Sequence, residues 1–407
     1  MKFTLTWLKD HLDTDASLNE ICDRLTMLGI EVENIEDPSA QLSGFVVGHV
    51  VAAEQHPNAD RLRLCKVNSG KGELQIVCGA PNARAGIKVA LATPGTVIPI
   101  TGEALKKGAI RGVESQGMMC SFRELKLGDD HEGIIELPDS APIGEPLSSV
   151  LELDPVVEVA ITPNRADALG MRGLARDLAA SGLGRMKPLD TVHVPGRYKS
   201  PIGVTIEAPQ ACPFFVGRHI RGVKNGPSPE WMQKRLVAIG LRPISALVDI
   251  TNYVTFDLAR PLHVFDASKV KGDIRPRLAK AGEKLEALNG KTYELDETMC
   301  VIADANGPEA LGGVIGGQPS GCTETTSEVF VESALFDPIR TANTGRKLQA
   351  ESDARYRFER HVDPEFAQTG MEIATRLILE LCGGEPSELV IAGQVPDWRR
   401  AIVLRPE

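Results

Sequence analysis

Between Phe45 and about Leu137 the apolar residues come only in short runs. FVVGHVVAA, LRLCKV, LQIVCG, KVALA, TVIPI and GMMCS are set apart by Gly, Pro and Asn turns. Short runs at this spacing predict a small β-barrel.

The flanks read differently. FTLTWL is strand-like, and a helix follows in which Ser17 and Glu20 form an S-x-x-E capping box, Leu18, Ile21, Leu25 and Leu28 share a face, and Gly29 marks the stop. Helical periodicity returns from about Arg165 to Leu183, with Leu169, Leu174, Leu178 and Ala179 on one side. The expected fold class is multidomain α+β, with α/β stretches at 1–38 and 152–190 on either side of the barrel at 39–151. After a Pro- and Gly-rich linker at 191–200, within MKPLDTVHVPGRYKSP, comes a mixed α+β module over 201–397. That module holds a helix with Ser228 as N-cap ending near Gly240, and another from Asp363–Pro364 to Gly383 with Phe366, Ile373, Leu377 and Leu381 on one side.

At 407 residues, 42% hydrophobic and 25% charged, the composition is that of ordinary globular domains, and no apolar run approaches the ~20 residues that span a bilayer. Lys9, Asp10 and His11 interrupt the N-terminal apolar positions, so a cytoplasmic protein is expected. The eight cysteines stand singly without CxxC or metal-ligand spacing, so no metal site is expected. A net charge of −10 argues against indiscriminate coating of nucleic acid, though not against a local basic contact.

The last third places Asn252, His263, Glu332 and Ser352 inside strand-like or apolar stretches, where an unpaired polar group costs about 1–3 kcal/mol. A polar ligand would account for them. Taken singly, His263 reads equally well as a core histidine and Glu332 as an ion-pair partner of Arg340 or Arg346. GGVIGG lacks the spacing of the phosphate-binding glycine motifs and suits close backbone approach. Arg355, Arg357 and Arg360 alternate with Asp353 and Glu359, read as part ion pairing and part RNA-facing surface.

HPNADRLRLCKV (His56–Val67) and AIRGVESQGMMCS (Ala109–Ser121) resemble the tRNA-binding OB-fold of synthetases and their accessory proteins. ITPNRADALGMRGLARDLAA (Ile161–Ala180), the run Asn225–Val254, RPLHVFD (Arg260–Asp266) and SDARYRFERHVDP (Ser352–Pro364) resemble the bacterial phenylalanyl-tRNA synthetase β-subunit family, in order along the chain. The resemblance implies that 1–38 and 152–190 form one N-terminal α/β domain, split by an inserted OB-fold barrel over 39–151. Family members continue past this sequence, and AIVLRPE (401–407), within 398–407, is similar to the start of their next domain. The resemblance implies tRNA(Phe) and the synthetase α subunit, in a heterotetramer of two α and two β, as partners. It implies ATP and Mg2+ for the complete synthetase and no cofactor for this portion. It also implies hydrolysis of Tyr-tRNA(Phe), with His263 and Asn252 holding water and ester, Glu332 accepting the tyrosine phenol, and Ser352, Ala354, Gly312, Gly313 and Thr251 walling the pocket. Ser352 stands where many relatives have Thr, and Gly312 where Ala is frequent. For the barrel, the expected tRNA contacts are Arg61, Arg63, Lys66, Lys106, Lys107 and Arg111, with Arg84 adding to the positive charge; His56 is expected to shape a turn. The alternative is a non-catalytic tRNA-binding or subunit-docking module with a vestigial pocket.

Overall fold

The computed structural model describes residues 1–151 and 153–405. Glu152, Pro406 and Glu407, at the edges of two of the expected domains, lie outside the described residues. The chain divides into two compact units, Ile35–Val156 and the remainder, Met1–Asn34 with Val157–Glu407.

In the first unit the strands lie side by side in the order Met118–Met119, Lys88–Ala92, Phe45–Gln55, Arg63–Asn68 and Glu73–Cys78, all neighbours antiparallel. The long strand Phe45–Gln55 shifts register between Val50 and Ala52, the kind of bulge that lets a small sheet coil. The sheet nearly closes: Gln116 N donates to Gln75 O at 2.7 Å and Val77 N to Ser115 Oγ at 3.1 Å. Phe45, Val47, Ala90 and Ala92 build one apolar cluster inside it and Val50, Cys65, Val67 and Val89 another.

The second unit begins with a strand of only Lys2–Thr4. Thr4 Oγ1 accepts from Trp7 N at 3.3 Å, and the capped chain becomes a helix over Leu5–His11 where FTLTWL reads as strand. The next helix, Leu18–Met27, carries both bonds of the capping box, and Gly29 follows at φ +81°. The Arg165–Leu183 run becomes a 3₁₀ turn at Ala166–Ala168 and a helix at Met171–Ala180.

The central sheet of this unit has His263–Asp266 beside Glu328–Leu335, then Phe214–Arg221, then Val390–Gly393 and Glu385–Pro386 on the far side. Strand alternation sorts its side chains into two layers. Val329, Val331 and Leu335 join Val216, Ile220 and Val264 against Ala246–Leu258 and Phe366–Cys382. Phe330, Ala334 and Phe336 join Phe215, Phe265, Cys300 and Ile302 on the other face, with the small sheet Arg275–Leu278, Cys300–Ala303, Pro308–Leu311 and Ile315–Gly316. Glu332 and His263 belong by position to this second face.

Three local expectations change. The Ser228 helix runs Glu230–Ala238 with Pro229 at its cap, because the Ser228 hydroxyl is spent on Asp249 Oδ2 at 2.6 Å. Phe366–Cys382 buries Ala367, Gly370, Met371 and Ala374 and, of the expected side, Ile373, while Phe366, Leu377 and Leu381 sit half-buried at its flanks. Residues 191–200 form no regular element yet are bonded along their length: Val194 N donates to Glu372 Oε2 at 3.0 Å, Arg197 N to Pro386 O at 2.8 Å and Glu388 N to Tyr198 O at 2.7 Å. Trp398–Arg405 pairs with no described strand.

Candidate functional site

His263 opens its strand and stands directly opposite Glu332 in the antiparallel ladder, so both side chains leave the sheet on the same face as neighbours. Both enter a small cavity of about 60 Å³, whose wall includes Pro261, Gly312, Gly313, Gly316, Phe336 and Ala354. Glu332 is 7% exposed, and its Oε2 and the Nε2 of His263 are sealed from solvent without a hydrogen-bond partner. Two unsatisfied polar atoms in one cavity are costly, and a ligand that satisfies both would relieve the cost.

Burial also decides the charge of the pair. Desolvation pushes the Glu332 carboxyl up to about 8, opposed only in part by the Arg260 charge, and pushes the His263 imidazole down to about 4. Between these values the cavity holds a neutral carboxyl and a neutral imidazole. The first can both donate and accept a hydrogen bond; the second can accept a proton. No ion pair joins Glu332 to Arg340 or Arg346: Arg340 reaches the Thr298 carbonyl, and Arg346 is exposed.

The glycine pair sets the shape of the wall. A Cβ on Gly312 would stand 2.7 Å from Phe336 Cε1 and 3.1 Å from Cys300 Sγ, and one on Gly313 would stand 3.0 Å from Phe336 Cδ2. The Phe336 ring therefore packs on bare backbone, and it meets Phe358 edge-on with centroids 5.1 Å apart. Neither ring is singled out by the sequence. The signal was available in strand alternation, since Phe330, Glu332, Ala334 and Phe336 continue one face.

Other expected pocket residues are placed less directly. The Ser352 hydroxyl donates to Val314 O and accepts from Arg355 N at 3.0 Å, which makes it a helix cap behind the cavity wall. Thr251 and Asn252 lie on the helix Ala246–Leu258 and outside that wall; the Thr251 hydroxyl is used by Val248 O at 2.7 Å. Arg355 bonds Glu359 and Ala350 O, Arg357 is buried on Leu169 O, and Arg360 bonds Glu359 and Tyr356 O, so all three guanidinia serve the fold. A larger cleft of about 920 Å³ is lined by Asp167, Arg176 and Arg360, but these charges already pair internally.

In the barrel unit, Arg61, Arg63, Lys66, Lys106, Lys107 and Arg111 are all exposed. His56 draws several of them together: its Nδ1 accepts from Asn58 N at 3.0 Å, its Nε2 meets Ile110 O at 3.2 Å, and Asn58 Nδ2 donates to Arg111 O at 3.0 Å. The Arg61 loop is thereby tied to the hairpin Gly108–Ile110 and Val113–Ser115, beside a groove of about 440 Å³ that Lys106 lines. Arg84 does not join this surface as a free charge, because it makes a two-pronged pair with Glu136 at 2.7 Å. Among the described residues no three His, Cys, Asp or Glu gather to hold a metal ion.

The pKa shifts have opposite consequences for stability. Glu332 binds its proton more tightly folded than unfolded, so its contribution is complete below about 4.5 and is lost as pH rises through about 8. His263 does the reverse, its contribution being complete above about 6.5 and lost as pH falls toward about 4. Glu332→Gln removes the first dependence. Its melting temperature should exceed that of the parent by a margin that widens from pH 5 to pH 8.5; a margin independent of pH would contradict the buried neutral carboxyl.

Sequence comparison places this geometry in a known family. A B3/4 domain model matches residues 211–383, and a tRNA binding domain model matches residues 45–146. The chain is 67% identical over 410 residues to a phenylalanine–tRNA ligase beta subunit from Paramagnetospirillum magneticum, covering 100% of this chain and 51% of that one. Beta subunits from Rhodospirillum rubrum and Mesorhizobium japonicum are 64% and 60% identical, covering 100% and 97% of this chain and 51% and 49% of theirs. The chain thus spans about half the length of these curated relatives, and it belongs to the phenylalanine–tRNA ligase beta-subunit family, of which it carries the tRNA-binding and B3/4 domains.

Proposed function

We propose that this chain is the tRNA-binding and editing portion of a cytoplasmic phenylalanine–tRNA ligase, which binds tRNA(Phe) and hydrolyses tyrosine from mischarged Tyr-tRNA(Phe). Its partner is the α subunit, which attaches phenylalanine. ATP and Mg2+ serve that attachment in the complete enzyme; the described residues gather no acidic cluster that fits the metal, and no step here is routed through either.

The observation that carries the reading is the pair of sealed, unsatisfied atoms, His263 Nε2 and Glu332 Oε2, in one cavity. A synthetic pocket for phenylalanine rejects an added hydroxyl only ~10²-fold, so a second site must recognise that hydroxyl. Glu332, as a neutral carboxyl, accepts from the phenol O–H and donates to its oxygen. A phenylalanyl ring leaves the same carboxyl buried and unpaired, which penalises the correct product. The aminoacyl ester is already activated, so hydrolysis needs an oriented water and an acceptor for its proton. Neutral His263 supplies the acceptor. A cavity of about 60 Å³ is small for a whole tyrosyl group, so this reading requires the wall to open for the ring and leaves the ester at the mouth. Holding the ester with Asn252 then requires the tRNA 3′ end to reach from that mouth to the helix Ala246–Leu258.

Deacylation of Tyr-tRNA(Phe) and Phe-tRNA(Phe) by this chain tests the reading. Tyrosyl ester should be cleaved in preference, His263→Ala should slow its cleavage by about 10²-fold with the fold intact, and Glu332→Ala should narrow the Tyr/Phe ratio. Intact tRNA binding with neither ester cleaved would leave the docking-module alternative.

For tRNA binding, the exposed group of Arg61, Lys106, Lys107 and Arg111 should contact phosphates. Removing both Lys106 and Lys107 should make the dependence of log affinity on log salt shallower by about one unit per lost contact. An unchanged slope would assign both lysines to a solvated face.

A further inference from the structure

Arg260 lies three residues before His263, is 1% exposed, and makes no ion pair with a described carboxylate. A buried guanidinium without a paired acid is costly, so its placement calls for a reason. The ladder between the His263 and Glu332 strands stops at the pair His263–Glu332. Continuing the register would set Pro261 opposite Ala334, and proline has no N–H to offer the Ala334 carbonyl. Arg260 takes that carbonyl with Nη2 at 2.6 Å, donates from Nε to Ser333 Oγ at 3.2 Å and from Nη1 to Asp363 O at 3.3 Å. Ser333 Oγ in turn donates to Ala367 O at 2.8 Å. The guanidinium thus replaces the missing ladder bond and ties the stretch after Glu332 to the turn that enters the helix Phe366–Cys382. That helix keeps glycine where Arg260 passes, since a Cβ on Gly370 would stand 2.9 Å from Arg260 Cγ.

We infer that Arg260 is a positioning residue for the His263–Glu332 pair: it closes the interrupted ladder at the point where the cavity begins and fixes the two side chains, and its charge, relative to one another. The inference rests on the editing reading for its consequence in catalysis, but not for the geometry. The charged and titratable groups around Glu332 are His263 and Arg260 from the neighbouring strand and its approach, Cys212, Cys300, and beyond them Arg340 and Asp363. Burial holds both thiols far above neutrality, Cys300 at about 12, so Glu332 is the group that titrates near 8 beside His263.

The test follows the His263 Cε1–H resonance from pH 5 to pH 10 in the whole chain, where Glu332 should produce an inflection near 8. Arg260→Met should move that inflection upward by about one pH unit, because a nearby cation favours the carboxylate. Arg260→Lys should keep it close to the parent. Gly370→Ala removes no hydrogen-bonding group and favours the helix, yet crowds the Arg260 stem and displaces it; the variant should fold, with a lowered melting temperature, and shift the inflection in the same direction, and it decides the matter where Arg260→Met fails to fold. An inflection unmoved in the folded variants would overturn the assignment. In parallel, Tyr-tRNA(Phe) hydrolysis should lose about tenfold in kcat in Gly370→Ala with KM retained. A shifted inflection in a chain that hydrolyses no Tyr-tRNA would uphold Arg260 as the positioning residue and count against the editing reading instead.

Discussion

A buried acid beside a half-buried base, each with a sealed atom that no protein group satisfies, is the constraint to which the surrounding structure answers. Removing Glu332 and His263 from water makes both neutral near pH 7, the carboxyl held up to about 8 and the imidazole down to about 4. A buried charge would have demanded a partner of opposite sign. A neutral pair demands only hydrogen bonds, and leaves room for a ligand to supply them.

The rest of the second unit can be understood as the means of holding that pair. Alternation along Glu328–Leu335 sends Val329, Val331 and Leu335 to the helical layer and frees Phe330, Glu332, Ala334 and Phe336 for the other face. Gly217 stands opposite Glu332 on the adjoining strand, and the Phe330 ring occupies the space a side chain there would take, 2.3 Å from the position of a Cβ. Gly312 and Gly313 let the Phe336 ring lie against backbone. Pro261 ends the ladder and Arg260 repairs it. Each of these choices is poor for an ordinary core and sensible for a cavity wall.

Local signals carried much of the architecture. The capping box at Ser17 and Glu20, the stop at Gly29, the short apolar runs of the barrel and the turn at His56 depend on neighbours in sequence, so they could be read there. What escaped depends on distant partners. Thr4 turns a strand-like run into a helix, Glu372, Pro386 and Glu388 bind a segment that reads as linker, and Arg84 finds Glu136. At the site, His263, Glu332, Ala354 and the glycine pair meet in the cavity, whereas Ser352 caps a helix behind it and Thr251 and Asn252 remain outside. Phe336 was legible only through strand alternation and Arg260 only through the register of the ladder, which require knowing the partner strand, while Phe358, on the helix Asp353–Phe358, shows in neither.

On the editing reading this cavity recognises a phenolic hydroxyl. Calorimetric binding of two non-hydrolysable 3′-amide adenosine analogues, one tyrosyl and one phenylalanyl, to the intact chain near pH 7 tests that recognition. A hydroxyl that satisfies a buried carboxyl is worth about 1–3 kcal/mol over a group that leaves it unpaired, so the tyrosyl analogue should bind roughly tenfold or more tightly. The advantage should disappear in Glu332→Ala. Equal affinities for the two analogues in the parent chain would contradict the account.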